Sequence, residues 1–170
     1  MNLIKKICCY AMLGGAVFTL SNVAKAQATD EDKQFLAMAA QADQNEIAMS
    51  KLAVDKATNP DVKMFAEKMV KEHMAMTESM KPFADKWGLT APMGPDADHQ
   101  KEIDKLNTLS GKDFDKEYID DMVSDHAKAY KAFVKESDDT KLPDFKAAVI
   151  AGKKHVAAHK NMAYDLKKKM

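Results

Sequence analysis

Four stretches of this chain repeat apolar residues at spacings of three and four, and each sets a metal-ligating side chain near its middle on the apolar stripe. These side chains are Glu46, His73, His126 and the pair His155/His159. A stripe of that period is the buried face of an amphipathic helix. Four such helices hiding their faces from water form a bundle, and the bundle gathers the ionisable groups in its interior. Ionisable groups packed side by side in an apolar interior are costly unless they are hydrogen-bonded, paired or metal-bound. The pattern therefore constrains architecture and chemistry together.

Export is read from the first segment. Lys5 and Lys6 precede an apolar run from Ile7 to Leu20, and Ala24-Lys25-Ala26 supplies small residues at a cleavage site. Cleavage after Ala26 makes residues 1–26 a signal peptide and residues 27–170 the mature domain, with the periplasm as its expected location. Cys8 and Cys9 leave with that segment, in a context unlike that of a lipoprotein. The mature domain then has no disulfide to rely on and must be stabilised by its core, a bound metal or a partner. A domain of this size can bury a sizeable core. All basic residues are lysine, and the mature chain is slightly acidic, which excludes a nucleic-acid footprint. No second apolar run approaches the roughly 20 residues of a membrane span, so no transmembrane anchor is expected.

The first helix is expected from Asp32, with Phe35, Ala39, Ala42, Glu46, Met49 and Ala53 inward and residues 27–31 frayed. Asn59-Pro60-Asp61 opens the second, because Asn caps a helix, Pro suits its first position and Asp suits the positive dipole end. That helix carries Phe65, Met69, His73, Met76, Met80, Phe83 and Trp87 to a stop at Gly88. A loop over 88–97 and a short helix over about 98–109 form a long crossover. Phe114, Tyr118, Met122, His126, Ala129 and Phe133 mark the third long helix, and Pro143-Asp144 opens the fourth. A weak repeat relates the two hairpins: Glu46 lies 14 residues before Pro60 and His73 13 after it, while His126 lies 17 before Pro143 and His155 and His159 12 and 16 after it. At about 1.5 Å of rise per residue, these groups meet at similar heights. The expected fold is all-α, an antiparallel four-helix bundle with one long crossover containing a short extra helix.

A lone histidine on an apolar face is ordinarily a hydrogen-bonded core residue, and His99 reads as solvated. The coincidence of heights is what raises a metal site for the others, against an internal Glu–His hydrogen-bond network. Glu72 and Asp125 each precede a histidine at the edge of the stripe and are candidates for a further ligand or for orienting a neighbouring helix's imidazole. His155 and His159 have the i, i+4 spacing that lets two imidazoles hold one ion, with His159 the more central. The absence of a His-Glu-x-x-His pattern removes metallopeptidase chemistry, and no nucleophile setting or phosphate loop indicates hydrolysis. Met69, Met76 and Met80 share the His73 face and offer a soft Cu(I) site, but core filling explains them better. Tyr118 and Tyr130 are open to a redox role or to ordinary packing.

Several of these residues resemble domain of unknown function 4142. They are Phe35 with Ala39-Ala40, Glu46 ahead of Lys51-Leu52-Ala53, the run from Val62 to His73, Leu109-Ser110-Gly111 with Phe114-Asp115, Tyr118, Met122-Val123, Asp125-His126 and a final His159 with Ala163 and Leu166. The resemblance implies an exported bacterial protein with a ferritin-like four-helix fold, often labelled an outer-membrane protein, and no established reaction. The acid and histidine pairs here are adjacent, unlike the Glu-x-x-His pairs of di-iron ferritins, and Glu46 reads as the clear interior carboxylate. One transition metal ion, zinc, manganese or iron before copper, is the cofactor expected at Glu46, His73, His126, His159, His155, Asp125 and Glu72. Envelope stress or metal handling is the expected role. The competing reading is a non-metal structural or interaction module whose Glu/His network fixes helix register, with an iron oxidase as a weaker option.

Overall fold

The computed structural model describes residues 27–170 as five helices: α1 (Asp30–Lys56), α2 (Pro60–Trp87), α3 (Ala97–Thr108), α4 (Gly111–Asp139) and α5 (Pro143–Lys167). The expected signal peptide, residues 1–26, lies outside the described residues. Among those described, no helix is long and apolar enough to cross a membrane. Local chemistry sets the helix ends. Asn59 accepts from the Asp61 amide ahead of Pro60, and Gly88 closes α2 at φ 69°, a left-handed conformation that glycine adopts without a Cβ penalty. Of the residues 27–31 expected to fray, 27–29 lie outside any helix while Asp30 and Glu31 are helical. The Thr29 hydroxyl accepts from the Asp32 amide at 3.1 Å while the Asp32 carboxylate accepts from the Thr29 amide at 2.7 Å. This reciprocal box satisfies amides that a helix start would leave free, and α1 begins at Asp30.

α1 and α2 form one hairpin and α4 and α5 the other, with α1 packed on α4 and α2 on α5. Phe35 meets Phe133 near one end, and the Ser50 and Tyr118 hydroxyls meet at 2.8 Å toward the other, so α1 and α4 run antiparallel. Phe83 with Phe145 and His73 with His159 show the same for α2 and α5. The chain leaves α2 at the end where α1 began and must start α4 at the opposite end. The crossover therefore spans the bundle, with α3 lying against α1 and α4. Buried Asp115 closes that far end, its carboxylate accepting from the Thr58 amide and hydroxyl and the Asn59 amide at 2.7–3.0 Å.

The core is divided in two along the axis. Met49, Ala53, Phe65, Met69, Phe114, Tyr118 and Met122 fill the half near the α1–α2 turn. Phe35, Leu36, Met76, Met80, Phe133, Phe145 and Val149 fill the half near the α4–α5 turn. Between these halves lies a buried polar layer: Asp43, Glu46, His73, His126 and His159.

A second buried acid pair sits at the α1 start, where Glu136 faces Asp32. Burial, reinforced by Asp32, pushes Glu136 up to about 7. Asp32, although burial opposes its charge, is held below the usual carboxylate range by bonds from Thr140 and Thr29. Because the folded protein holds the Glu136 proton more tightly than the unfolded chain, the stability this provides is complete below about pH 4.5 and is lost as pH rises through about 7. Glu136→Gln removes the titration. Wild type should lose urea resistance relative to this variant as pH goes from about 5 to about 8, and a pH-independent difference in midpoints would refute the assignment.

Candidate metal centre

Each long helix contributes to the polar layer because its stripe passes mid-length at the same height. His73 from α2, His126 from α4 and His159 from α5 stand in a triangle with ring centroids 5.1–5.5 Å apart. One ring nitrogen from each lies within 4.8 Å of the others, and all three residues are at most 3% exposed. Glu46 from α1 brings Oε1 to 3.5 Å from His126 Nδ1, too long for a good hydrogen bond.

Every imidazole uses one nitrogen on an acceptor at the edge of the layer. His73 Nδ1 meets Asp43 Oδ1 at 2.8 Å, His126 Nδ1 meets the Met122 carbonyl at 2.8 Å, and His159 Nε2 meets Glu72 Oε2 at 2.6 Å. An acceptor there requires the N–H form at that nitrogen, and in a neutral ring the other nitrogen keeps its lone pair. The other nitrogens, His73 Nε2, His126 Nε2 and His159 Nδ1, are buried and find no partner among the described residues, and neither does Glu46 Oε2. Four polar atoms left without a partner in one buried layer cost about 1–3 kcal/mol each. Ligating histidines are built in this way, the far N–H donating to a carboxylate or carbonyl that fixes tautomer and ring orientation.

Burial keeps the His126 and His159 rings neutral. Burial, with His73 and His159 alongside, drives His126 down to about 3. Burial drives His159 down to about 4, against the opposing pull of the Glu72 carboxylate. Burial raises Glu46 well above the usual carboxylate range, and the negative charges of Asp125 and Asp43 add to this. Glu72, at the surface edge, goes the other way. Burial opposes its charge, yet Lys68 and His159 hold it at about 2. At neutral pH His126 and His159 therefore present neutral imidazoles, the form that binds metal.

The seven sequence candidates do not converge on one point. His73, His126 and His159 do, while Glu46 reaches only the Nδ1 side of His126, at 3.5 Å. Glu72 stands outside and orients His159, the imidazole of a neighbouring helix. His155 is 53% exposed at its side chain and lies 3.6 Å from Glu72 Oε2, on the outer side of His159. Asp125 points away to the α3 seam, 3.5 Å from His99 and 2.8 Å from Lys128, because it precedes His126 by one residue and so lies about 100° around α4. Three residues escaped the sequence reading. Asp43 is a second interior carboxylate, bonded to His73 and to the Thr77 hydroxyl, so Glu46 does not stand alone. Its position four after Ala39 and three before Glu46 put it on the stripe. His99, read as solvated, has its ring only 22% exposed, with Asp96 Oδ1 at 2.8 Å and Asn45 Nδ2 at 2.9 Å from Nδ1. Asn45, itself buried, had no sequence signal, since it matters only once α3 docks on α1.

His126 offers a direct measure of what the layer costs. Its sole bond goes to a carbonyl inside its own helix, so replacing it with leucine strands no partner. Metal-free His126→Leu should resist urea at least as well as the metal-free wild type, because a buried unpaired polar group is replaced by an apolar one. A markedly lower midpoint would instead mark the ring as a structural lock.

Comparison with known proteins places this geometry in context. A sequence profile described as domain of unknown function (DUF4142) matches residues 18–166. No curated protein matches the sequence. Among solved structures, a DUF305 fragment from Deinococcus radiodurans has a TM-score of 0.74 at 13% identity, covering 85% of this chain and 100% of that one. A DUF305 protein from Streptomyces coelicolor has a TM-score of 0.68 at 18% identity, covering 80% and 89%. The Cu(II)-bound form of CopM has a TM-score of 0.69 at 22% identity, covering 81% and 96%. At these identities the likeness is one of fold, an all-α bundle. With nearly the whole described domain inside the profile match, the chain belongs to the DUF4142 family.

Proposed function

We propose that this protein binds one transition-metal ion between His73, His126 and His159, with Glu46 as a fourth side chain, and serves metal handling outside the cytoplasm. One observation carries the reading: each of three facing imidazoles spends one nitrogen on an outer acceptor and keeps the other buried and unpaired. Three nitrogen donors suit zinc, copper or iron better than manganese, which prefers carboxylate and water. That moves manganese down and copper up relative to the sequence expectation. CopM, a neighbour in fold, is described in Cu(I)-, Cu(II)- and Ag-bound forms, which supports testing copper alongside zinc. Export rests on the Lys5-Lys6, apolar-run and Ala24-Lys25-Ala26 pattern, and agrees with a fold neighbour inferred to be secreted.

When bound, such an ion would supply Lewis acidity and, if copper or iron, redox capacity. The chain's own contribution is to fix three imidazoles between Met69 and Met122 on one side and Met76 on the other. Nothing in the layer provides a nucleophile, so storage, transfer or buffering of the ion is the simplest role.

The second reading, a register lock, is favoured by two bonds that join helices across the layer, Asp43 to His73 (α1 to α2) and His159 to Glu72 (α5 to α2). Metal-stripped protein made without a His tag separates the two. Titration with Zn²⁺, Cu⁺, Cu²⁺, Fe²⁺ and Mn²⁺ should give one tight equivalent of an imidazole-preferring ion and a Tm rise of roughly 5–10 °C at saturating metal. Both should vanish in the H73Q/H126Q variant. Retention of less than about a tenth of an equivalent of every ion, with no Tm response, would support the lock.

A further inference from the structure

The seam where α3 lies against α4 repeats the construction of the central rings. His99 turns Nδ1 to Asp96 Oδ1 at 2.8 Å, and its Nε2 faces Asp125 Oδ2 at 3.5 Å and Glu102 Oε2 at 3.8 Å. Those two distances are too long for hydrogen bonds of normal strength. They match the separation of two donors sharing one ion at bonds of about 2.0–2.2 Å. One ligand atom each from His99, Glu102 and Asp125 lie within 4.8 Å of one another. Lys128 occupies Asp125 Oδ1 at 2.8 Å and leaves Oδ2 to the seam, while Glu102 Oε2 is buried with no partner among the described residues. His99 and Asp125 also line a cavity of about 390 Å³ whose inner wall is formed by Glu46, His73 and His126. These three side chains are more than nine-tenths buried, and each carries an unpaired polar atom.

We propose a second divalent-cation site, formed by His99, Glu102 and Asp125, that stands at the mouth of this cavity and passes ions inward to the histidine centre. Its one imidazole and two carboxylates make it harder than the centre and suit exchangeable capture of a divalent first-row ion. Asp96 positions His99 in the way Asp43 positions His73. The site stands on its own geometry, whereas its capture role rests on the reading of the centre.

Mn²⁺ binding to the full mature chain, followed by loss of the free-ion electron paramagnetic resonance signal, tests the site without reference to the centre. The H73Q/H126Q variant should still take up about one Mn²⁺. E102Q/D125N should bind it at least roughly tenfold more weakly, with helix content and Tm of the metal-free protein unchanged. Equal binding by E102Q/D125N and wild type overturns the proposal, as does loss of Mn²⁺ binding in H73Q/H126Q. Should E102Q/D125N prove unfolded, D125N alone serves, since it leaves the Asp96 bond that docks His99 in place. For the capture role, Co²⁺ uptake into the centre, read from its visible bands in stopped flow, should slow about fivefold or more in E102Q/D125N while final occupancy is unchanged. An unchanged rate overturns capture. Absence of Co²⁺ bands in wild type also overturns capture, while the centre stands or falls on its own titration and the seam site on the Mn²⁺ result.

Discussion

A buried layer of imidazole and carboxylate between two apolar half-cores is the constraint on which the rest of this structure depends. Apolar burial drives the helices together on both sides of it, and that same burial removes water from Glu46, His73, His126 and His159. Each ring recovers part of the lost hydration through one bond to Asp43, Glu72 or the Met122 carbonyl. The inner atoms recover none. A fold that only needed mechanical rigidity would gain from leucine or methionine there, because well-packed apolar side chains replace buried polar groups with little loss and often with gain. Four buried polar atoms without a protein partner, in a layer otherwise bounded by methionines, are the physical argument for a bound cation.

The same small unit recurs: an imidazole held at one nitrogen by a carboxylate, with its second nitrogen turned toward other donors. Asp43–His73, Glu72–His159 and Asp96–His99 are three instances, on α2, α5 and α3. His159 stands between two environments, the buried triangle on one side and exposed His155 with Glu72 on the other. The bundle thus has a soft, nitrogen-rich interior and harder, carboxylate-rich approaches at its surface. That gradient suits an ion that arrives hydrated and is desolvated in steps.

Helix positions were legible because they follow from local chemistry. The three-and-four spacing, Asn59-Pro60, Gly88 and Pro143 each act within a few residues, and the helices start and stop beside them. The meeting of the three histidines was legible too, since equal heights in antiparallel rods follow from counting residues from the turns. Which way a boundary side chain turns was not legible. Asp125 was grouped with the centre because it neighbours His126 in sequence, but α3 offers His99 on the other side and the carboxylate goes there. Asp43 was overlooked because Ala42 fitted the apolar pattern equally well. Only the approach of His73 and Thr77 from α2 distinguishes the two positions. Choices of this kind depend on the neighbouring helix, and one helix's periodicity carries no record of it.

X-ray absorption at the metal edge of the domain 27–170, loaded with one equivalent of its tightest-binding ion, tests the central claim most directly. The account predicts three imidazole nitrogens at about 2.0–2.1 Å, with at least one imidazole lost from the shell in a His126→Leu protein. A shell made of oxygen or thioether donors without imidazole scattering, or one that His126→Leu leaves unaltered, would contradict it.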